Sequence, residues 1–155
     1  MTIRFAREQD IPQMLELLRQ VGQVHHAMRP DLFRAGAQKY DDPALRRLLA
    51  DPNRPILAAE ADGVMTGYAF CILRITKDDP VLCDRRELYI DDLCVDENHR
   101  GQGIAHALYG RALELARELN CDALTLNVWW GNDSALRFYE GVGLSRQKIG
   151  MEKVL

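Results

Sequence analysis

The sequence contains no long hydrophobic run, no paired cysteine motif and no excess of positive charge. No apolar stretch in its 155 residues approaches the roughly 18 residues that cross a membrane. The four cysteines are scattered without a CxxC pair, and the four histidines have no zinc-like spacing to them. We therefore expect no metal site, reduced thiols and a cytoplasmic location, with no signal peptide in the polar sequence after the first residues.

The charge balance argues against a nucleic-acid partner. The net charge is −3 at pH 7, and no basic stripe is available to neutralise the phosphates of a nucleic acid. This charge is compatible with a cationic substrate, although it is too common to select one. The length and the 47% hydrophobic content predict one domain over residues 1–155, large enough to bury a core.

Hydrophobic periodicity predicts alternating strands and helices. The predicted order is a strand at Thr2–Ala6, helices after Asp10 and at Asp42-Pro43, a hairpin around Asp62-Gly63, strand Arg86–Val95, a helix to Leu119, strand Asp122–Trp130, a short helix to Tyr139 and a last strand at Leu144–Leu155. This order predicts an α/β protein with a mixed sheet and helices on both faces. The long helix should make a right-handed parallel crossover between its flanking strands.

Local signals suggest where the first helix begins and ends. Asp10 and Gln13 have the spacing of a capping box, which predicts that Asp10 is the N-cap. Gly22 interrupts the regular apolar pattern, and we expect the helix to end there. Pro30 is expected to stop the weaker pattern that follows.

The stretch from Leu88 to Ala105 combines a strand that carries two carboxylates, a polar turn and a glycine loop that opens into a helix. Such a loop can bind an anion, because the first four N–H groups of a helix lack partners and the helix dipole adds positive potential. The loop has no GxxxxGK[ST] motif, and His106 stands where a dinucleotide fingerprint needs glycine. By itself it is either a phosphate site or a glycine turn that starts a helix.

Two motifs together resemble the GNAT N-acetyltransferases. Arg100, Gly103 and Ala105 match the acyl-CoA loop of that family, [QR]-x-x-G-x-[GA]. The run from Asn132 to Leu144 is similar to N-x-x-A-x-x-F-Y-E-x-x-G-[FL], with leucine where phenylalanine is commoner. The resemblance covers essentially the whole chain. It implies the GNAT acyl-CoA N-acyltransferase fold, a central mixed sheet with helices on both faces and splayed parallel strands 4 and 5.

The resemblance implies acetyl-CoA as the co-substrate, without a metal. The residues it assigns to acetyl-CoA are Leu93, Cys94 and Val95 for the pantetheine arm, Arg100, Gly101, Gln102, Gly103, Ile104 and Ala105 for the pyrophosphate, and Asn132. Glycine at 103 allows close backbone approach and Arg100 adds charge. A bulge in the central strand, also implied by the family, would free main-chain groups for pantetheine. Asn132 is either a helix N-cap or a cofactor contact.

Acetyl transfer from a thioester to an amine needs a neutral amine, a stabilised oxyanion and a protonated leaving thiolate. By resemblance Tyr139 is the acid that protonates the thiolate, and the alternative is an aromatic residue that fills the core. Asp91 and Asp92 either remove the proton of the acceptor amine or bind a cationic amine, unless they form a solvated rim. Adjacent strand residues face opposite sides, so only one can reach the substrate without a bulge. The segment from Tyr89 to Asp92 is similar to one in the diamine acetyltransferases.

Further substrate-binding candidates are Glu87, Tyr89 and His26, which with His25 lies where this family often forms the acceptor wall. Cys94 lacks an evident histidine partner, so we do not expect covalent catalysis. The prediction is direct transfer to a primary amine in a ternary complex. The acceptor is a small cationic amine, an amino-acid-like metabolite, or a protein N-terminus or lysine. A non-catalytic acyl-CoA-binding or sensory module is the competing hypothesis, and a homodimer is common in the family.

Overall fold

The computed structural model describes residues 1–155 and contains one five-stranded sheet with four α-helices. The strands are β1 (Thr2–Phe5), β2 (Ile56–Ala61), β3 (Val64–Thr76), β4 (Arg85–Val95) and β5 (Ala123–Leu126). The helices are α1 (Ile11–Met28), α2 (Asp42–Leu49), α3 (Ile104–Glu118) and α4 (Asp133–Gly141), with 3₁₀ turns at Glu8–Asp10 and Glu97–His99. None of the helices has the length and apolar character needed to span a bilayer.

The sheet follows the order of the chain, β1-β2-β3-β4-β5, and only the β4–β5 pair is parallel. Asp62 and Gly63 form the β2–β3 turn with φ values of 52° and 77°, as a type I′ turn requires. Helix α3 connects β4 to β5 and packs on the sheet. The predicted mixed sheet with helices on both faces is confirmed.

Two hydrophobic cores enclose the sheet. The α1-side core comprises Ile11, Met14, Leu17, Leu18, Leu45, Leu48, Ile56, Ala58, Met65, Tyr68, Phe70 and Cys94. The α3-side core comprises Leu57, Ala59, Ala69, Cys71, Leu88, Ile90, Ile104, Leu108, Tyr109, Ala112, Leu115 and Ala116. Strand residues alternate between the two cores because successive side chains in a strand point to opposite faces.

Strands β4 and β5 pair over a short stretch and then separate. The ladder joins Glu87–Ile90 to Ala123–Leu126, after which β4 continues to Val95 beside β3 alone. The predicted strand Asp122–Trp130 is therefore too long, because the ladder to β4 stops at Leu126 and no strand pairs with the other edge of β5. The splay implied by the resemblance leaves the β5-side edge of β4 open beyond Ile90.

Asp10 is the N-cap residue of α1, as predicted, and the helix ends before Pro30, but the predicted capping box and the predicted end at Gly22 are wrong. Asp10 does not cap α1 with its side chain; its carboxylate accepts a hydrogen bond from the Arg7 amide at 2.7 Å and pairs with Arg4. Gly22 does not end α1, which continues to Met28, just before Pro30. A Cβ atom at position 22 would lie 2.4 Å from the carbonyl oxygen of Ala37. Glycine is required there by the close approach of a loop.

The predicted last strand, Leu144–Leu155, is also wrong. These residues form no strand and pair with no part of the sheet. The last backbone hydrogen bond of the chain runs from the Leu144 amide to the Tyr139 carbonyl at 3.0 Å. A strand needs a neighbour, and within one chain the segment and the outer edge of β5 remain unpaired.

Candidate active site

A β-bulge in β4 places both carboxylates of the acidic pair on the same side of the sheet. Phe70 of β3 pairs with Asp92 and the next β3 residue pairs with Ile90, so Asp91 is the extra residue of the bulge. Ile90 before the bulge and Leu93 after it both pack in the α3-side core. Asp91 and Asp92 consequently both face the α1 side, where an acceptor can meet the two together.

Asp92 interacts with a phenol. The Tyr68 hydroxyl donates a hydrogen bond to its Oδ2 atom at 2.9 Å. Burial raises the pKa of Asp92 to about 6, although this hydrogen bond acts in the opposite direction. A carboxylate whose pKa lies this close to neutrality is suited to accept a proton in the physiological range.

Asp91 interacts with an amine of the chain itself. Lys39 Nζ lies 2.7 Å from its Oδ2 atom, and the Tyr40 hydroxyl donates to the same oxygen at 3.2 Å. Burial lowers the pKa of Lys39, but the hydrogen bond and charge of Asp91 outweigh it and the net shift is upward. An ammonium group thus lies beside the acidic pair. Sequence reasoning missed Lys39 and Tyr40, which lie in a loop without periodicity or motif.

The end of α4 holds Tyr139 in place through its backbone. The Leu144 amide donates to the Tyr139 carbonyl at 3.0 Å, and the Gly143 amide donates to the Glu140 carbonyl at 3.1 Å. Gly143 has φ 98°. This pair of bonds is a Schellman motif, which needs a left-handed residue that glycine adopts without strain. The glycine of the second motif therefore ends the helix one turn after the tyrosine.

The ring of Tyr139 packs among aromatic side chains on the α3 side. Its centroid lies 6.5 Å from that of Tyr109 and 5.0 Å from that of Phe138. Burial raises the pKa of Tyr139 above its usual value, and the charge of Asp92 raises it further. The phenol stays protonated at neutral pH and can donate a proton.

The glycine loop is an open helix N-terminus. Gly101 and Gly103 have φ values of 76° and 77°, and Gly103 is the N-cap of α3. The Ala107 amide donates to the Gly103 carbonyl at 3.0 Å, so the N–H groups ahead of it have no acceptor within the helix. The loop is exposed from Arg100 to Gly103, and a cationic side chain precedes its free donors, as an anion site requires.

Buried Asp96 fixes the turn between β4 and the glycine loop. Its carboxylate accepts hydrogen bonds from the Asn98 amide at 2.9 Å and from Gln20 Nε2 at 3.3 Å, and lies 3.1 Å from His99 Nδ1. Burial alone would raise the pKa of Asp96, but these hydrogen bonds outweigh it and hold the pKa below its usual range. Sequence reasoning missed this anchor; the only signal was an acidic residue directly after the strand.

The two second-tier candidates on β4 lie on the same face as Asp91. Arg74 covers the ring of Tyr89 with its guanidinium 3.5 Å from the centroid, and Asn127 donates to the Tyr89 hydroxyl at 3.1 Å. The Oε1 atom of Glu87 lies 3.6 Å from Nη1 of Arg74. Both side chains are therefore held by neighbours from β3 and from the chain after β5.

The loop between α1 and α2 packs against the open end of the sheet through aromatic rings. His26 Nδ1 lies 2.7 Å from the Phe33 carbonyl, and the His25 ring stacks on Phe33 with centroids 4.9 Å apart. The Phe33 ring also contacts the Trp129 ring edge-on, with the two centroids 5.2 Å apart. These contacts hold the loop that carries Lys39 to the acidic pair.

Two further candidates have defined partners. Asn132 Oδ1 accepts from the Ala135 amide at 3.2 Å, so its role as the N-cap of α4 is confirmed. Cys94 Sγ donates to the Leu17 carbonyl at 3.6 Å, and burial raises the pKa of this thiol to about 12. The thiolate that a covalent mechanism needs is scarce at neutral pH. No cluster of three or more metal-ligating side chains is present.

Comparison with known proteins identifies the family of the chain. The family model described as the acetyltransferase (GNAT) family matches residues 21–144. N-alpha-acetyltransferase 30 of Saccharomyces cerevisiae is 36% identical over 74 residues, 48% of this chain and 42% of that protein. Thialysine N-epsilon-acetyltransferase of Bos taurus is 24% identical over 151 residues, 91% of this chain and 82% of that protein. The chain thus spans less than half the length of the first of these relatives.

A solved structure matches along the whole chain. A mutant of the BH1408 protein from Bacillus halodurans superposes with a TM-score of 0.95 at 30% sequence identity, covering 100% of this chain and 99% of that one. The family model spans both motifs that carried the resemblance, the glycine loop and the segment around Tyr139. The protein belongs to the GNAT family of acetyltransferases.

Proposed function

We propose that the protein transfers an acetyl group from acetyl-CoA to a primary amine by direct attack in a ternary complex. The observation that carries the proposal is the bulge in β4, which turns Asp91 and Asp92 to one face beside the open edge of the strand. Asp92 lies close enough to Tyr139 for its charge to raise the pKa of the phenol. The first is set to accept a proton near neutrality and the second to donate one.

The open edge of β4 and the glycine loop suit the two ends of acetyl-CoA. Residues 93–95 have a free edge on the β5 side for the pantetheine amides, and residues 100–105 have free donors for the pyrophosphate. With the thioester beside the bulge, the amine nitrogen bonds to the carbonyl carbon and the carbon–sulfur bond breaks. Asp92 accepts the amine proton and Tyr139 donates one to the leaving sulfur. Backbone N–H groups near Cys94 polarise the carbonyl.

The acceptor is a small cationic amine. The acidic pair faces one side together, and Lys39 demonstrates that an ammonium group fits against Asp91 at 2.7 Å. The bovine relative's name, thialysine N-epsilon-acetyltransferase, describes an acceptor of this kind. The name of the yeast relative, N-alpha-acetyltransferase, favours an α-amine as the alternative acceptor, so a protein N-terminus and a lysine side chain belong in the test.

The chain acts as a single domain over residues 1–155, because one sheet joins all its layers. It works in a reducing, cytoplasmic setting, which its four free cysteines support. It acts as a homodimer. Asn132 belongs to the wall that binds the cofactor, and His26 belongs to the wall that binds the acceptor. Glu87 and Tyr89 line the acceptor side.

Release of the CoA thiol across a panel of amines tests the function directly. Diamines, lysine analogues, amino acids and N-terminal peptides are compared at pH 7 to 8 with acetyl-CoA. Tyr139→Phe removes the acid and is expected to lower kcat by about 10²-fold or more while acetyl-CoA affinity, measured by calorimetry, stays unchanged. Tyr109→Phe, which removes a neighbouring phenol, is the matched control. A sensory module would bind acetyl-CoA and release no thiol with any amine.

A further inference from the structure

The side chain of Lys39 lies where the proposed function places the amine of the acceptor. Its Nζ atom is 2.7 Å from Asp91 Oδ2. Burial raises the pKa of Asp92 and the charge of Lys39 acts against it, so the ammonium is within reach of both carboxylates. The other lysines are exposed and lie in the β3–β4 connection or beyond α4: Lys77, Lys148 and Lys153. One amine of the protein is therefore held against its own acidic pair.

The loop that carries Lys39 is fixed on both sides of that residue. On the N-terminal side, the carbonyl oxygen of Ala37 approaches α1 at Gly22, where an added Cβ would lie 2.4 Å from it. On the C-terminal side, the Tyr40 hydroxyl donates to Asp91 Oδ2 at 3.2 Å, and the Tyr40 side chain packs against the α1-side core. The contact between Lys39 and Asp91 is therefore supported by the backbone and by a neighbouring side chain.

We propose that Lys39 is a substrate of the enzyme itself: its Nζ atom takes the acetyl group of acetyl-CoA within the same molecule, and the loss of charge opens Asp91 to cationic acceptors. The proposal rests on the proposed function, since it uses the same thioester and the same two proton carriers. An acetylated lysine is a neutral amide without an ammonium group, so it cannot form the ion pair. The modification turns a site occupied by its own lysine into an open one.

The transfer balances with groups that are already in the site. The Lys39 ammonium gives one proton through Asp92 to water, and the neutral amine then bonds to the carbonyl carbon of the thioester. The carbon–sulfur bond breaks, Tyr139 protonates the departing thiolate, and the second amine proton passes through Asp92 and water to restore the phenol. The products are acetylated Lys39, the free CoA thiol and one proton.

Mass spectrometry of the full chain tests the proposal. Protein that peptide mapping shows to be unmodified is incubated with acetyl-CoA and no added amine. We expect a mass gain of one acetyl group, located on Lys39, while Lys77 reports the chemical acetylation of an exposed lysine. The rate constant should not depend on protein concentration, because the amine and the thioester belong to one complex. A rate constant that rises with protein concentration would overturn the intramolecular transfer.

A variant and a free amine separate this proposal from the proposed function. Asp92→Asn should slow the labelling of Lys39 by about 10²-fold and leave that of Lys77 unchanged. Labelling of Lys39 no faster than that of Lys77, in a protein that acetylates free amines, overturns this proposal alone. Labelling of Lys39 without turnover of any free amine supports it and contradicts the small-amine acceptor. If neither reaction occurs, both proposals fail.

Calorimetry without acetyl-CoA tests the opening of the acceptor site. Lys39→Gln carries a neutral amide like the one that acetylation creates. It should bind putrescine, a short diamine, about 2- to 5-fold more tightly than the wild type, as loss of a competing exposed ion pair implies. Lys39→Arg keeps the charge and should bind as the wild type does. Equal affinities of the three proteins would overturn the release of Asp91.

Discussion

The two adjacent aspartates have different environments although they share one face. Asp92 is bonded to the neutral phenol of Tyr68, while Asp91 is bonded to the ammonium of Lys39. Burial raises the pKa of Asp92 to about 6, whereas Asp91 forms an ion pair with a cationic side chain. Environment therefore separates a proton acceptor from a cation-binding group within two identical residues.

The pH dependence of turnover follows from Asp92. Because its pKa is about 6 instead of the ordinary 3.8, the base is protonated at pH 5 and ionised at pH 8, so kcat/KM should rise through about pH 6. Asp92→Asn should lose this limb and about 10²-fold in kcat, while Asp91→Asn should keep it. The measurement is kcat/KM for one amine between pH 5 and 8. Persistence of the limb in Asp92→Asn would contradict the assignment.

Lys39 competes with a cationic acceptor for Asp91. Its side chain is 43% exposed, and an ion pair of this exposure contributes about 0.2–1 kcal/mol. Lys39→Met should therefore lower KM for a diamine by about 2- to 5-fold, with kcat little changed. Lys39→Arg keeps the charge and serves as the control. A diamine KM that does not respond to Lys39→Met while responding to Asp91→Asn would show that Lys39 lies outside the acceptor path.

At the scale of elements, the sequence predicts what local residues specify. The turn at Asp62-Gly63 and the start of α2 at Asp42 both have local signals, and both are present. Gly22 could not be interpreted locally, because the carbonyl that requires it belongs to Ala37 in a distant loop. The last strand failed for the same reason, since strand formation depends on a neighbour that the chain itself does not provide.

The same division applies to the site. The glycine loop and Tyr139 belong to contiguous motifs, and the acidic pair is visible as two carboxylates in an apolar strand. Tyr68 and Lys39 escaped notice because their partners lie on another strand. The bulge that turns Asp91 and Asp92 to one face depends on the register between β3 and β4, which no local pattern specifies.

Gly103 allows a test of the loop with a matched control in another element. Gly103 and Gly63 both have φ 77°, and neither has an atom within 4 Å of an added Cβ. Valine at either position should cost about 1–2 kcal/mol of backbone strain. Only Gly103→Val should weaken acetyl-CoA binding, by about 10²-fold, through lost charge-assisted hydrogen bonds to the pyrophosphate. Calorimetry that gives equal affinities for the two folded variants would refute the pyrophosphate assignment.

At the scale of the whole molecule, buried polar groups join the layers. Gln20 of α1 accepts from the Glu97 amide at 3.2 Å and donates to Asp96 at 3.3 Å, which ties the first helix to the approach to the glycine loop. At the β1 edge of the sheet, Arg4 of β1 donates to Asp10 at 2.7 Å and to Glu60 of β2 at 2.7 Å. The first link positions the site, and the second is remote from it.

The remote link should matter for stability rather than turnover. Asp10 is 6% exposed, so Arg4→Met leaves a buried carboxylate unpaired and should cost about 3–5 kcal/mol. The exposed ion pairs of Arg46 make Arg46→Met the control, with an expected loss of about 0–1 kcal/mol. Urea unfolding at pH 7 measures both, and kcat of the folded Arg4→Met protein should equal that of the wild type.

The pH dependence of that stability has a definite sign. Burial raises the pKa of Asp10, but the hydrogen bonds from Arg4 and the Arg7 amide outweigh it and hold the pKa below the ordinary 3.8. The stabilisation is therefore complete above about pH 4 and is lost as the pH falls through the folded-state pKa. Without Arg4, burial dominates and Asp10 protonates more easily. The deficit of Arg4→Met should shrink between pH 7 and pH 4, whereas a constant deficit would mean that packing, not charge, carries the link.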